Sequence, residues 1–262
     1  MANHPLISII TVCYNSESTI EETIISVISQ DYDNFEYLII DGGSTDETLR
    51  IIDKYRDKIA VLVSEPDKGI SDAFNKGIRS ASGDVIGLIN SDDLLADGAL
   101  RVIANNFSSD IDVYRGNMII EDRPSGKIYQ SRPTMMFSKT SRISNVCHPS
   151  TFVKKEAYQK WGSYRIEFKY MMDVDLLYRF YFSGAKFKYI DASLAVFRTG
   201  GRTADAWSEK LGEYKQMLLF NNFPKWLIIV RIACFVVYNV IKQWCFKVFG
   251  VHYLRSIKYG CC

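Results

Sequence analysis

The chain lacks the features that would place it in a specialised class at sight. Its six cysteines show no metal-type Cys-x-x-Cys spacing, so a zinc ribbon is excluded. In a chain of 262 residues they read as reduced, mostly buried thiols. Neither a Gly-x-Gly-x-x-Gly run nor a Walker A loop occurs, so the usual dinucleotide and P-loop readings lack their signature. Net charge is nearly absent: Lys+Arg 32 against Asp+Glu 30 gives +2, without the broad basic footprint of a nucleic-acid binder. The N-terminus, MANHPLISIITVCYN, has no basic leader and meets a polar turn early, so a cytoplasmic protein is expected rather than a secreted one. At 47% hydrophobic and 24% charged residues, collagen-like, coiled-coil and disordered classes are excluded.

What is present is an asymmetry. Residues 214–262 carry seven basic residues and no acid, leaving 25 basic and 30 acidic residues in 1–213. The acidic part alternates strand and helix patterns. Leu6–Cys13, Phe35–Ile40, Ile59–Val63 and Val85–Ile89 are apolar runs of strand length. Between them, Ser16–Gln30 and Ile70–Ser80 show helical spacing, and Ser44-Thr45-Asp46-Glu47 has the form of a capping box opening another helix. Alternation at this pitch predicts βαβ units and a parallel sheet. Ligands of such sheets bind at the carboxyl ends of the strands. Polar residues collect there: Tyr14-Asn15, Asp41-Gly42-Gly43-Ser44, Glu65-Pro66-Asp67-Lys68-Gly69 and Asn90-Ser91-Asp92-Asp93. Asp92 and Asp93 are hard oxygen ligands suited to Mg²⁺ or Mn²⁺. The plainer alternative makes Asp92 the cap of a helix starting near Ala96 and leaves Asp93 solvated.

Taken together, SIITVCYN, LIIDGGSTDET, EPDKGISDAFNKGIRSASGD and VIGLINSDD, followed by HPSTFVKK, MMDVDLLYRF and FRTGGRT, resemble the inverting family 2 glycosyltransferases. The branch that builds bacterial surface polysaccharides is the most similar, and the resemblance covers residues 6–205. It implies an α/β GT-A (Rossmann-like) fold: a mostly parallel central sheet flanked by helices. It also implies a nucleotide diphosphate-sugar donor, a Mg²⁺ or Mn²⁺ ion, and a glycan or polyprenyl-linked glycan acceptor. By the same resemblance Thr11, Tyr14, Asn15 and Asp41 are nucleoside contacts, and Asp67, Gly69, Asp72 and Asn75 form the loop and helix beneath base and sugar. Asn90-Ser91-Asp92 takes the place of the family's Asp-x-Asp, with Asn90 where the first acid is expected. The catalytic base falls at Asp173, with Met172 in place of the usual preceding acid.

Inverting transfer needs a carboxylate to accept the acceptor's proton and a group to stabilise the leaving diphosphate. Asp173 lies just before an apolar stripe of Leu176, Leu177 and Phe180; otherwise it is an N-cap, and Asp175 pairs with Arg179 at i,i+4. A lone His148 is read as a hydrogen-bonded structural residue, the alternatives being the acceptor side or the metal. Phe197-Arg198-Thr199-Gly200-Gly201-Arg202-Thr203 is either a loop closing on the diphosphate, with Arg198 as a contact, or a surface turn.

These readings divide the chain into a 1–205 transferase domain and a 206–262 helical tail, with the donor half at 1–105 and the acceptor and base half at 106–205. In the tail, Trp226–Phe249 is apolar but interrupted by Arg231, Asn239, Lys242, Gln243 and Lys247, which fall on one half of a helical wheel. Its longest uncharged stretch, Ile232–Ile241, is too short to span a bilayer. A basic amphipathic helix predicts peripheral attachment to the anionic inner face of the cell membrane. The alternatives are packing on the domain or an oligomer interface. The rival functions are a non-catalytic partner in polysaccharide assembly, favoured by Asn90 and Met172, and a nucleotidyltransferase, which would carry a Gly-rich phosphate loop after the first strand.

Overall fold

A computed structural model describes residues 4–138, 146–199 and 207–259. Gly200, Gly201, Arg202, Thr203, Cys261 and Cys262 lie outside the described residues. In chain order the elements are β1 (Ile7–Cys13), α1 (Ile20–Ile28), β2 (Phe35–Asp41), α2 (Thr48–Asp53), β3 (Val61–Ser64), α3 (Ile70–Ser80) and β4 (Val85–Asn90). Then come β5 (Leu94–Leu95), α4 (Ala99–Asn106), β6 (Val113–Asp122), β7 (Lys127–Ser131), β8 (Thr151–Lys154) and α5 (Lys155–Trp161). The chain ends with α6 (Met172–Phe182), β9 (Phe187–Arg198), α7 (Trp207–Phe220) and α8 (Lys225–Tyr259).

One sheet runs through the molecule in the order β3-β2-β1-β4-β8-β6-β9-β5, with β7 beside β6. Its first four strands are parallel. β1 is buried along its whole length and β4 at all but its last residue, as continuous β-branched runs require when helices cover both faces. Beyond β4 the sheet is mixed: β8 is antiparallel to both β4 and β6, while β9 returns parallel to β6. Gly87 of β4 sits at this change of direction, where a Cβ would lie 2.5 Å from the Phe152 ring of β8.

Two expected helix starts are displaced. Ser44 does not open a helix; its hydroxyl is drawn to Asp41, and α2 begins at Thr48, whose N–H donates to Asp46 Oδ1 at 3.0 Å. The helix expected near Ala96 starts at Ala99 after Gly98, which takes the left-handed conformation at φ 71°.

α7 and the first turns of α8 pack into the core of the molecule. Tyr214, Met217 and Leu218 of α7, with Phe223, Leu227 and Ile228, are buried against Leu176, Leu177, Tyr178 and Phe180 of α6. Arg231 also faces inward, 5.2 Å from the Phe223 ring centre and within reach of the Tyr178 hydroxyl. That inward turn leaves Trp226, Ile229, Val230, Val237, Val240, Ile241 and Trp244 exposed on the other side of α8. No helix among the described residues is long and apolar enough to cross a membrane.

Candidate active site

The carboxyl ends of the parallel strands are tied into one rim by side chains that serve the backbone. Asn15, at φ 48°, accepts from Thr45 N–H at 2.9 Å, and its own N–H donates to Ser44 Oγ at 2.8 Å. The Asp41 carboxylate is fully buried and accepts from the Gly43 and Ser44 amides and the Ser64 hydroxyl. It shapes the turn and offers no surface of its own. Ser16 and Ser91 join the first and fourth loops at 2.8 Å. Asp67 accepts from Gly69 N–H at 2.8 Å, Asp72 accepts from Lys68 N–H at 3.1 Å, and Gly69 takes φ 108° before α3. Tyr14 stands half exposed above this rim.

Besides Asp41, two more expected donor contacts face the wrong way. Thr11 is fully buried within β1 and accepts the Tyr37 hydroxyl at 3.0 Å, so it is a core residue. Asn75, buried in α3, spends its amide on the backbone of Tyr164, donating to the carbonyl at 2.8 Å and accepting from the N–H at 2.9 Å. It braces the segment leading to α6 instead of reaching a sugar.

At the end of β4 the two acids differ sharply. Asp92 is half-buried, and burial pushes its carboxyl up while Arg123 and Arg198 partly oppose this. Asp93 is fully buried, and burial, then the charge of Asp92, push its carboxyl up to about 7. Both Asp93 oxygens are taken within the protein, by the Arg198 N–H at 3.2 Å and the Asn90 amide at 3.3 Å. The expected ligand role of Asp93 therefore gives way to a structural one. Neither does Asp92 cap a helix, since α4 begins seven residues later. Asn90 Oδ1 is buried without a hydrogen-bond partner. That orphaned oxygen and the Asp92 carboxylate are hard donors that fit Mg²⁺ or Mn²⁺. No group of three His, Cys, Asp or Glu among the described residues forms a ready-made cage. The Arg198 guanidinium is engaged by Glu121 at 3.0 Å and Glu22 at 2.5 Å, latching β9 to β6 and α1.

Asp173 lies in the first turn of α6, one residue past Met172, and so is not its N-cap. Its Oδ1 is 2.9 Å from His148 Nδ1, and its side chain keeps 21% exposure. His148 is held by a short turn in which the Cys147 carbonyl accepts from Ser150 N–H and the Ser150 and Thr151 hydroxyls. The Phe74 ring packs 5.1 Å from the imidazole. Burial works against the imidazolium, but the charge and proximity of Asp173, then the charge of Asp93, raise the His148 pKa above its ordinary value. The imidazole is thus within electrostatic reach of both acidic stations. Asp175 is fully buried and paired with Arg165 at 2.7 Å and Arg179 at 3.4 Å, the latter at the i,i+4 spacing. Glu213 of α7 accepts the N–H groups of Lys169, Tyr170 and Met171 just before α6. Glu213 and Tyr164 carry no local sequence signal, because their partners are far along the chain.

A half-parallel sheet with amides and acids gathered at its carboxyl ends, joined to a mixed half that carries a part-exposed aspartate, defines a transferase domain of the GT-A type. The chain belongs to glycosyl transferase family 2, whose profile matches residues 8–162. It is 30% identical over 189 residues to an uncharacterised glycosyltransferase of Rickettsia prowazekii, covering 68% of this chain and 59% of that protein. The chain thus spans less than two thirds of the length of that curated relative. In fold it is similar to TarS residues 1–349 of S. aureus in complex with UDP-GlcNAc, with a TM-score of 0.67 at 19% identity over 93% of this chain and 75% of that one. It is also similar to the mannosyltransferase PcManGT of Pyrobaculum calidifontis in complex with GDP-Man and Mn²⁺, with a TM-score of 0.62 at 16% identity over 82% and 63% of the two chains.

Proposed function

We propose that the protein transfers a sugar, with inversion, from a nucleotide diphosphate-sugar to a glycan or polyprenyl-linked glycan acceptor, with Asp173 as the base. The observation that carries this is the pairing of a part-exposed Asp173 with a histidine that also feels the acids at the end of β4. Asp173 takes the acceptor's hydroxyl proton as the oxygen bonds to the anomeric carbon. The bond to the donor's phosphate oxygen breaks on the opposite face, and its electron pair leaves with the nucleoside diphosphate. Asn90 and Asp92 would hold Mg²⁺ or Mn²⁺, which supplies Lewis-acid charge to the phosphates. Tyr14, Asn15, Asp67, Gly69 and Asp72, on the loops around the donor end, support nucleoside and sugar binding, and Ser91 sits between the two ligand candidates.

The outer face of α8 supports placement at an anionic membrane, on its cytoplasmic side. Its exposed apolar stripe runs from Trp226 to Trp244, about 27 Å along the helix. The surrounding segment is basic and without acids, so two copies meeting there would bring like charges together, whereas an anionic surface attracts them.

The test is release of nucleoside diphosphate from a panel of nucleotide-sugars, with titration calorimetry of the donor alongside. Asp173→Asn is expected to abolish transfer while donor affinity stays within about twofold, and exhaustive chelation is expected to stop turnover. Retained turnover in Asp173→Asn would move the base elsewhere, and full activity after chelation would remove the metal from the reading. Donor binding by the unaltered protein without any turnover would favour the non-catalytic partner.

A further inference from the structure

We infer that His148 is a positioning residue for the base: it fixes the Asp173 carboxylate through one oxygen and so sets the direction from which the acceptor hydroxyl is met. This rests on the reading of Asp173 as the base. Three features separate the pair from an ordinary buried histidine. His148 Nδ1 sits 2.9 Å from Asp173 Oδ1 across a join between elements 25 residues apart, which no secondary structure imposes. The ring is fixed from below by Phe74 and from its own turn by the Cys147 carbonyl network, so it cannot follow Asp173 elsewhere. Its second nitrogen, Nε2, is buried without a hydrogen-bond partner. It lies beside a cavity of about 10 Å³ lined by Thr151, Tyr158, Tyr164 and Asp173, the size of a single water. A buried imidazole normally spends a nitrogen on a backbone carbonyl. Here, among the described residues, the charged group in contact is the Asp173 carboxylate.

The electrostatics point the same way. Taking an imidazolium out of water is the largest single effect, yet the charge and proximity of Asp173 and the charge of Asp93 together outweigh that cost. The other groups facing the pair come from four neighbouring elements: Asp93 after β4, Arg115 of β6, Tyr158 of α5, and Tyr164 in the loop that follows. Burial pushes both tyrosines up, so they stay neutral hydroxyls across the working range. Arg115 acts on Asp173 through charge alone and is itself committed to the carbonyls of Thr134 and Val146. His148 is therefore the group whose removal changes the charge in contact with the base.

The experiment compares His148→Ala and His148→Asn with the unaltered protein in full pH–rate profiles of transfer. Asparagine can place an amide near the position of Nδ1 without charge. Removing an opposite charge within 4 Å raises a carboxylate's pKa, so the acid limb of kcat should move up by about one pH unit in both variants. We expect kcat at neutral pH to fall roughly 10–100-fold in His148→Ala and less in His148→Asn. Donor KM should change by no more than about twofold. A histidine that merely fills space would lower thermal stability and leave the acid limb where it was, and that result overturns the inference. If Asp173→Asn is inactive while both His148 variants keep the original limb, the positioning role fails and the base stands. If Asp173→Asn turns over, the reading of the base fails first.

Discussion

Asp93 provides the sharpest test of the electrostatics at the end of β4. Its carboxyl is pushed from the ordinary 3.8 up to about 7 by burial and by the charge of Asp92, so the folded protein holds a proton that the unfolded chain releases. Linkage fixes the sign. Where the folded state binds more protons, stability falls as pH rises, here from about pH 4 to about pH 7, and it levels off above that. Between pH 5 and pH 8 the loss from this one group comes to roughly 2–3 kcal/mol, which is about 5–10 °C in Tm for a chain of this size. Asp93→Asn keeps the shape and cannot ionise; its carbonyl still accepts from the Arg198 N–H, and its amide meets Asn90 once the Asn90 amide turns over to accept. The assay is thermal unfolding of both proteins in chelator, at half-unit steps from pH 5 to pH 8. Taking the difference between them cancels the titrating groups that are not coupled to Asp93. The variant should gain on the unaltered protein steadily up to about pH 7. A difference that stays flat across the range would show that Asp93 is ionised when folded and would refute the reasoning.

Two further predictions concern packing and surface. Asp175→Ala should cost roughly 3–5 kcal/mol in a denaturant titration, because it strands Arg165 and Arg179 without their buried partner and frees the Asn221 amide; a loss below about 1 kcal/mol would mean the network is solvated. Trp226→Ser with Trp244→Ser should sharply reduce co-sedimentation with anionic vesicles while leaving Tm nearly unchanged, since both side chains are more than half exposed; undiminished binding would discard the α8 surface as the contact. Substitution is the cleaner route, because cutting the chain after Phe220 would also remove Phe223, Leu227 and Ile228 from the core.

The parallel half of the fold was legible because its strands are buried on both faces. Ile7–Cys13, Phe35–Asp41 and Val85–Asn90 each lie within one residue of the apolar runs that predict them, and α3 coincides with its helical spacing. Local hydrogen-bonding competition was not legible. Ser44 has the form of a cap, but Asp41, only three residues away, claims its hydroxyl. The site was legible to the loop and not to the side chain. Thr11 and Asn75 are expected at the donor, yet strand alternation turns one into the sheet and the Tyr164 backbone claims the other. The Asn90–Asp93 run shows four polar residues, but which acid keeps a free surface depends on β9, more than a hundred residues away. Likewise the wheel of α8 separates its polar and apolar halves, and only the docking of Arg231 on Phe223 shows which half turns outward.

Glu213 carries a consequence for how the protein comes into being. Three successive amides, of Lys169, Tyr170 and Met171, converge on this one carboxylate from α7, immediately upstream of Asp173. Those amides have no anchor until α7 has been synthesised and has folded back. Domains generally assemble as they leave the ribosome, N-terminal parts first. A nascent chain can therefore shape the rim at its parallel strand ends early, while α6, which bears Asp173, is seated only once α7 has emerged and folded back.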